Sequence, residues 1–196
     1  MRMMLILLWG LVGTLTACGV FGQAKFWFIN SWTSRGERQF YPVYDWLGNP
    51  LEGSNWLAEL YGGPSPDSLS AAWGFEDERV LAMFWKGGLF IHPSEFIVLV
   101  HADDRGWAWL QVKVWDIRLG TTFEEAVAKG CGGYGQSEVF YARGTLWFDL
   151  YPASDLVGLK SFSVLELVPE ADVGALVAVG GAALWWLRRR TADPAQ

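Results

Sequence analysis

Residues 107–117 read WAWLQVKVWDI, and their alternation restricts the fold more than any other feature of the chain. Leu110, Val112 and Val114 fall on one side of an extended backbone, while Trp107, Trp109, Gln111, Lys113 and Trp115 fall on the other, because successive side chains of a strand point to opposite faces. A face built to pack, backed by a polar and aromatic one, is the pattern of an antiparallel sheet with one side on a core.

The neighbouring segments follow the same logic. Residues 25–31 (KFWFINS), 39–46 (QFYPVYDW), 55–63 (NWLAELYGG), 95–101 (EFIVLVH), 137–142 (SEVFYA) and 156–167 (LVGLKSFSVLEL) read as strands. They are separated by turn signals at LGNPLEG, PSPD and ADDRG, where Gly, Pro, Asn and Asp favour tight reversals. Pro42 marks an edge or a bulge. Residues 79–85 (RVLAMFW) and 87–92 (GGLFIH) flank a hairpin over Lys86, Gly87 and Gly88.

One stretch is helical. Residues 121–130 (TTFEEAVAKG) offer Thr121 as N-cap, Glu124 three positions on as the second half of a capping box, and Gly130 as the stop. Two turns are marginal alone, so this helix must lean on the sheet. The pattern has no βαβ alternation and no internal repeat, and it predicts a mainly β chain: an antiparallel β-sandwich, Ig-like or jelly-roll-like, with one short helix.

Composition narrows the functions. Residues 25–168 carry 11 Lys and Arg against 18 Asp and Glu, and the whole chain has a formal charge of −6. That acidity argues against nucleic acid as a partner, since binding a phosphate backbone needs clustered cations. The two cysteines are Cys18 and Cys131. The body therefore has no disulfide of its own, and Cys131 reads as a small half-buried residue.

Both ends read as targeting segments. Arg2, the apolar residues 3–12 and the small residues Gly22 and Ala24 form a signal peptide over 1–24, with cleavage after Ala24. LTAC at 15–18 also has the form of a lipobox, which would place a lipid on Cys18 and make the chain an outer-membrane-type lipoprotein. A retained N-terminal anchor is the third reading. At the other end, residues 173–187 are apolar, and fifteen helical residues reach about 22 Å, short for a hydrocarbon core of about 30 Å. Trp185 and Trp186 suit an interfacial belt, and Arg188, Arg189 and Arg190 a cytoplasmic stop.

With Pro169 and Glu170 ahead of the apolar segment, residues 169–190 resemble the PEP-CTERM sorting tail of exported Gram-negative proteins: a Pro-Glu-Pro motif, a short transmembrane helix and an Arg-rich end. The third motif position here is Ala171. The resemblance implies an exosortase-type membrane transpeptidase as partner and an inner-membrane-anchored precursor. It further implies removal of the tail and delivery to the cell surface or extracellular matrix. The alternative is an ordinary C-terminal anchor, and residues 191–196 would lie in the cytoplasm. The body, residues 25–168, is also similar in short patches (NWLAELYGG, LQVKVWD, TTFEEAVAKG, GQSEVF, LVGLKSFSV) to a group of exported proteins that carry such tails. That group implies no activity.

Chemistry-bearing motifs are few. HADD at 101–104 offers ligands but lacks the spacing of a calcium loop. GCGGYG at 130–135 follows a helix where a phosphate loop would open one. FEDER at 75–79 reads as a solvated acidic loop. No nucleophile elbow, HExxH or CxxC occurs, so a non-catalytic body without metal or cofactor is expected. A hydrolase of matrix glycans would need two carboxylates brought together in space. The one sequence-level binding surface is the Trp109, Gln111, Lys113 and Trp115 face, where indoles stack sugar rings and polar groups reach hydroxyls. The competing reading packs these indoles under the helix or a loop. If exposed, the face would make the protein a carbohydrate-binding module of the exopolysaccharide layer.

Overall fold

A computed structural model describes residues 22–34, 37–76, 78–91 and 97–166 of the chain. Within them the chain is mainly β, with antiparallel main sheets and one α-helix, as the alternation predicts. In chain order the elements are β1 (Gly22–Trp27), β2 (Ser31–Ser34), β3 (Glu37–Phe40), β4 (Val43–Tyr44), β5 (Gly53–Gly63), β6 (Ser70–Ala71), β7 (Ala82–Phe84), β8 (Phe90–Ile91), β9 (Ile97–Ala102) and β10 (Trp107–Asp116). After a 3-10 turn at Ile117–Leu119 come α1 (Phe123–Lys129), β11 (Tyr134–Gln136), β12 (Phe140–Arg143), β13 (Thr145–Leu146) and β14 (Phe162–Ser163).

One sheet has the order β13-β1-β9, and the larger one β11-β10-β5-β7-β8, with β12 also on β10 and β6 on β5. Strands β2 and β3 form a separate hairpin, and β14 lies parallel to β4. The inner faces share one core. Ala108, Leu110, Val112 and Val114 of β10 are fully buried, as are Ala24 and Phe26 of β1 and Val98, Val100 and Ala102 of β9. The facing sheets approach so closely at Gly62 of β5 that an added Cβ would lie 2.6 Å from the Val100 Cβ, a separation that side chains do not adopt.

Two sequence expectations need correction, the helix cap and the strand over 156–167, and the start of the body meets a strand. Strand β1 begins at Gly22, three residues before the expected body start at Lys25, and Ala24 is buried between Val100 and Leu146. Gly22 and Ala24 are small because the strand packs there: a Cβ on Gly22 would lie 2.5 Å from the Asp103 carbonyl oxygen. Cleavage after Ala24 would sever this strand. The helix caps one residue late: Thr122 accepts from the Glu125 N–H at 3.1 Å, and the Glu125 carboxylate takes up the Thr121 N–H. The stop is as expected, with Gly130 in the left-handed region at φ 68°. Finally, residues 156–166 contribute only the two-residue β14, the rest being irregular chain packed through Leu156, Leu159 and Val164.

The two ends of the described body leave from opposite ends of β10. Gly22 pairs with Ala102 beside the turn that leads into Trp107. Leu165 bonds to Tyr134 and Gly133 beside Asp116. Ten residues of strand separate these ends, roughly 30 Å at the usual rise.

Candidate functional site

The outer face of β10 does not form one exposed platform, which corrects the expected glycan surface. Trp115 is fully buried under α1, with its indole N–H donating to the Gly120 carbonyl at 3.1 Å and its ring edge-on to Phe123. Gln111 is buried and donates to the Ser137 carbonyl at 3.0 Å. The Lys113 ammonium lies 3.6 Å from the Tyr61 ring centroid and donates to Glu124 of α1 at 3.0 Å. The cause is the helix itself, which lays Phe123 and Ala126 on this face to bury them.

Charged groups hold the helix in place. Glu59 of β5 is fully buried, and Arg79 clasps its carboxylate through Nε and Nη2 while donating from Nη1 to the Thr121 carbonyl at 3.0 Å. Arg79 therefore belongs to a buried ion pair and departs from the solvated loop that FEDER predicts. Burial, then the Glu59 and Glu124 charges, push the Tyr61 phenol well above its ordinary value. For Glu124, burial pulls upward, but the bond from Lys113 leads a set of hydrogen bonds that holds its carboxyl below the usual range. These groups act as a clamp on α1.

What remains open on β10 is its first half. Trp107 stacks on Tyr141 of β12 with centroids 4.9 Å apart and planes 13° apart, and half-buried Trp109 leans on the same ring.

The better-formed site lies elsewhere, between the β2–β3 hairpin and the turn joining β7 to β8. It is an open cleft of about 300 Å³ lined by Ile29, Asn30, Ser31, Arg38, Phe40, Trp85, Lys86, Leu89 and Phe90. Trp85 is 76% exposed and Phe40 51%. The turn that carries Trp85 is tied down at its base. The β7–β8 turn closes with Trp85 N–H on the Leu89 carbonyl at 3.0 Å, and Gly88 is locked between Leu51 and Val43. A Cβ on Gly88, at φ 73°, would meet the Val43 carbonyl at 2.5 Å, so only glycine fits.

Buried Asn30 ties the two walls together. Its amide donates to the Tyr41 and Gly88 carbonyls, both at 2.8 Å, and its oxygen accepts from the Phe90 N–H. On the hairpin side, Arg38 donates from Nε to the Ser31 hydroxyl at 3.1 Å, and its guanidinium lies over the Phe40 ring at 5.8 Å. The result is a trough with aromatic walls, two cations on its rim and a fixed floor. It can stack a flat apolar ring face, and Arg38 and Lys86 favour an anionic ligand. Among the described residues, its lining contains no Asp, Glu, His or Cys.

Among the described residues, no group of three or more His, Cys, Asp and Glu residues is placed to hold a metal. His101 is exposed and packs against Trp73 at 4.7 Å, while Asp103 closes a turn by accepting from the Arg105 and Trp107 N–H groups. Cys131 is half-buried against the cluster under α1. Cys18, Pro169, Glu170, Arg188, Arg189 and Arg190 lie outside the described residues, as do the two apolar segments. Among the described residues no helix is long and apolar enough to cross a membrane.

Sequence reasoning missed the cleft. The available signal was Trp85, which follows inward-facing Phe84 and precedes a Lys-Gly-Gly turn, a position where a core residue is not expected. No family model, curated protein or solved structure matches the chain.

Proposed function

We propose that this chain is an exported cell-surface or extracellular-matrix protein whose non-catalytic body binds an acidic polysaccharide in the Trp85–Phe40 cleft. The body is read as a β-sandwich of Ig-like or jelly-roll type, on the strength of two antiparallel sheets sharing one core. Export rests on the apolar N-terminal segment. Sorting by an exosortase-type transpeptidase rests on the Pro169-Glu170, apolar, triple-Arg layout.

One observation carries the binding assignment: a tryptophan three-quarters exposed on a turn that glycine geometry and Asn30 hold rigid. An indole held in water without packing is poorly placed for stability and well placed for a ring-shaped ligand. The flanking Arg38 and Lys86 select uronic-acid sugars over neutral ones, because their carboxylates accept charge-assisted hydrogen bonds.

Affinity electrophoresis tests this. The full chain should be retarded in gels containing a uronic-acid polysaccharide and less so in gels with a neutral glucan. Trp85→Ala should restore free mobility. Equal retardation of the variant would remove the cleft from the account.

A further inference from the structure

Residues 147–151 (WFDLY) follow β13 and expose large apolar side chains at four of five positions. Leu150 is fully exposed, Phe148 is 78% and Tyr151 74% exposed. Trp147 is partly exposed and packs at 5.0 Å against Phe75, itself an exposed ring. Single exposed apolar residues are ordinary, but a contiguous cluster marks a contact surface.

The loop is held in position. The Trp147 N–H donates to the Gln23 carbonyl at 2.9 Å, Asp149 N–H to Leu146 at 3.0 Å, and Lys25 reaches the Asp149 carbonyl at 2.6 Å. Its anchor is therefore β1, at a residue adjacent to Gly22. Ahead of Gly22 runs the N-terminal stretch whose residues 3–12 are apolar and which contains Cys18. Four residues of extended chain span at most about 14 Å, so a lipid on Cys18 would bring this end of the body to a bilayer, and a retained leader inserted through residues 3–12 would tether the same end. The described chain ends at residue 166, beside the other end of β10.

A second feature agrees. Beside the loop is an open cleft of about 350 Å³ whose walls include Arg105, Arg143, Asp149 and Tyr151. Two guanidinium groups next to Trp and Tyr match the layering of a membrane interface, where aromatic rings sit at headgroup level and cations meet phosphates. Asp149 also lines this cleft, which lowers its net charge and favours zwitterionic headgroups.

We infer that the 147–151 loop is a bilayer-contact surface, with Phe148 and Leu150 entering the interfacial region and Arg105 and Arg143 holding phospholipid phosphate. This does not rest on the polysaccharide cleft, which lies on different elements.

The test uses the full chain with Cys18 retained and Cys131→Ser, carrying one added cysteine at Leu150→Cys or, as control, at Lys160→Cys, and each is compared with the Cys131→Ser chain that has no added cysteine. Each is labelled with an environment-sensitive fluorophore and reconstituted in phosphatidylcholine vesicles. The label at 150 should shift to the blue and lose quenching by aqueous iodide, while the label at 160 stays quenched. Adding Arg105→Gln and Arg143→Gln should restore quenching at 150. Equal quenching at both positions would overturn the inference. So would shielding at 150 that disappears when protein is diluted in lipid, which would assign the loop to a second copy of the chain.

Discussion

Replacing Arg79 with methionine isolates the energetic role of the clamp on α1. The substitution keeps an unbranched stem of similar reach and removes the guanidinium. Glu59 is fully buried and both its oxygens bond to Arg79, so the variant leaves an ionised carboxylate in the protein interior without its partner. Breaking one member of such a pair costs about 3–5 kcal/mol. Loss of the Nη1 bond to Thr121, at the start of the helix, adds about 1 kcal/mol. The contact of the guanidinium with the Trp115 ring, 5.5 Å away, disappears as well. Guanidinium denaturation followed by tryptophan emission reads the outcome, since Trp115 sits beneath the helix. The single variant should fall by several kcal/mol, and Glu59→Leu combined with Arg79→Met should regain most of it, because a buried pair replaced by apolar groups is often neutral. A single variant within about 1 kcal/mol of the parent would refute the view that the pair is uncompensated without Arg79.

Three further predictions follow from β1 and from the end of β10. A body starting at Lys25 lacks the pairs Gly22↔Ala102, Gln23↔His101 and Ala24↔Val100. It should lose about 2–3 kcal/mol against one starting at Gly22, at about 1 kcal/mol per backbone hydrogen bond. Mass spectrometry of the protein from its native host should accordingly place the mature N-terminus at or before residue 22. Asp116 lies buried, which pulls its carboxyl upward, but hydrogen bonds from Arg118 and its backbone N–H outweigh this and hold it below the usual range. A depressed folded value means its contribution is complete above about pH 4 and fades as pH falls through the folded value. Asp116→Asn should flatten that part of the acid denaturation curve.

How much was legible in the sequence depended on whether a residue's role was local. The alternation over 107–117 correctly sorted inward from outward side chains of β10, because period two is a property of the backbone alone. It carried no information on what covers the outward face. That Trp115 is buried and Trp107 open depends on where α1 docks, a tertiary fact. The helix was visible from TTFEEAVAKG, yet two adjacent threonines left the cap ambiguous by one residue, and hydrogen-bond geometry chose Thr122. Arg79 looked like part of an acidic surface run because its partner, Glu59, is twenty residues away on another strand. Gly22 and Ala24 satisfied two demands at once, since the small residues of a cleavage site and those of a tightly packed strand look alike in sequence. The cleft escaped notice because its walls, Phe40 and Trp85, come from separate hairpins that meet through Asn30.

The most direct measurement is a calorimetric titration of the full chain with a uronic-acid oligosaccharide, repeated with Trp85→Ala and Trp109→Ala. The account predicts saturable heat that weakens with added salt, as expected for ligand charge meeting Arg38 and Lys86, that disappears in Trp85→Ala, and that persists in Trp109→Ala. Heat lost in Trp109→Ala and retained in Trp85→Ala would contradict it and return the binding surface to β10.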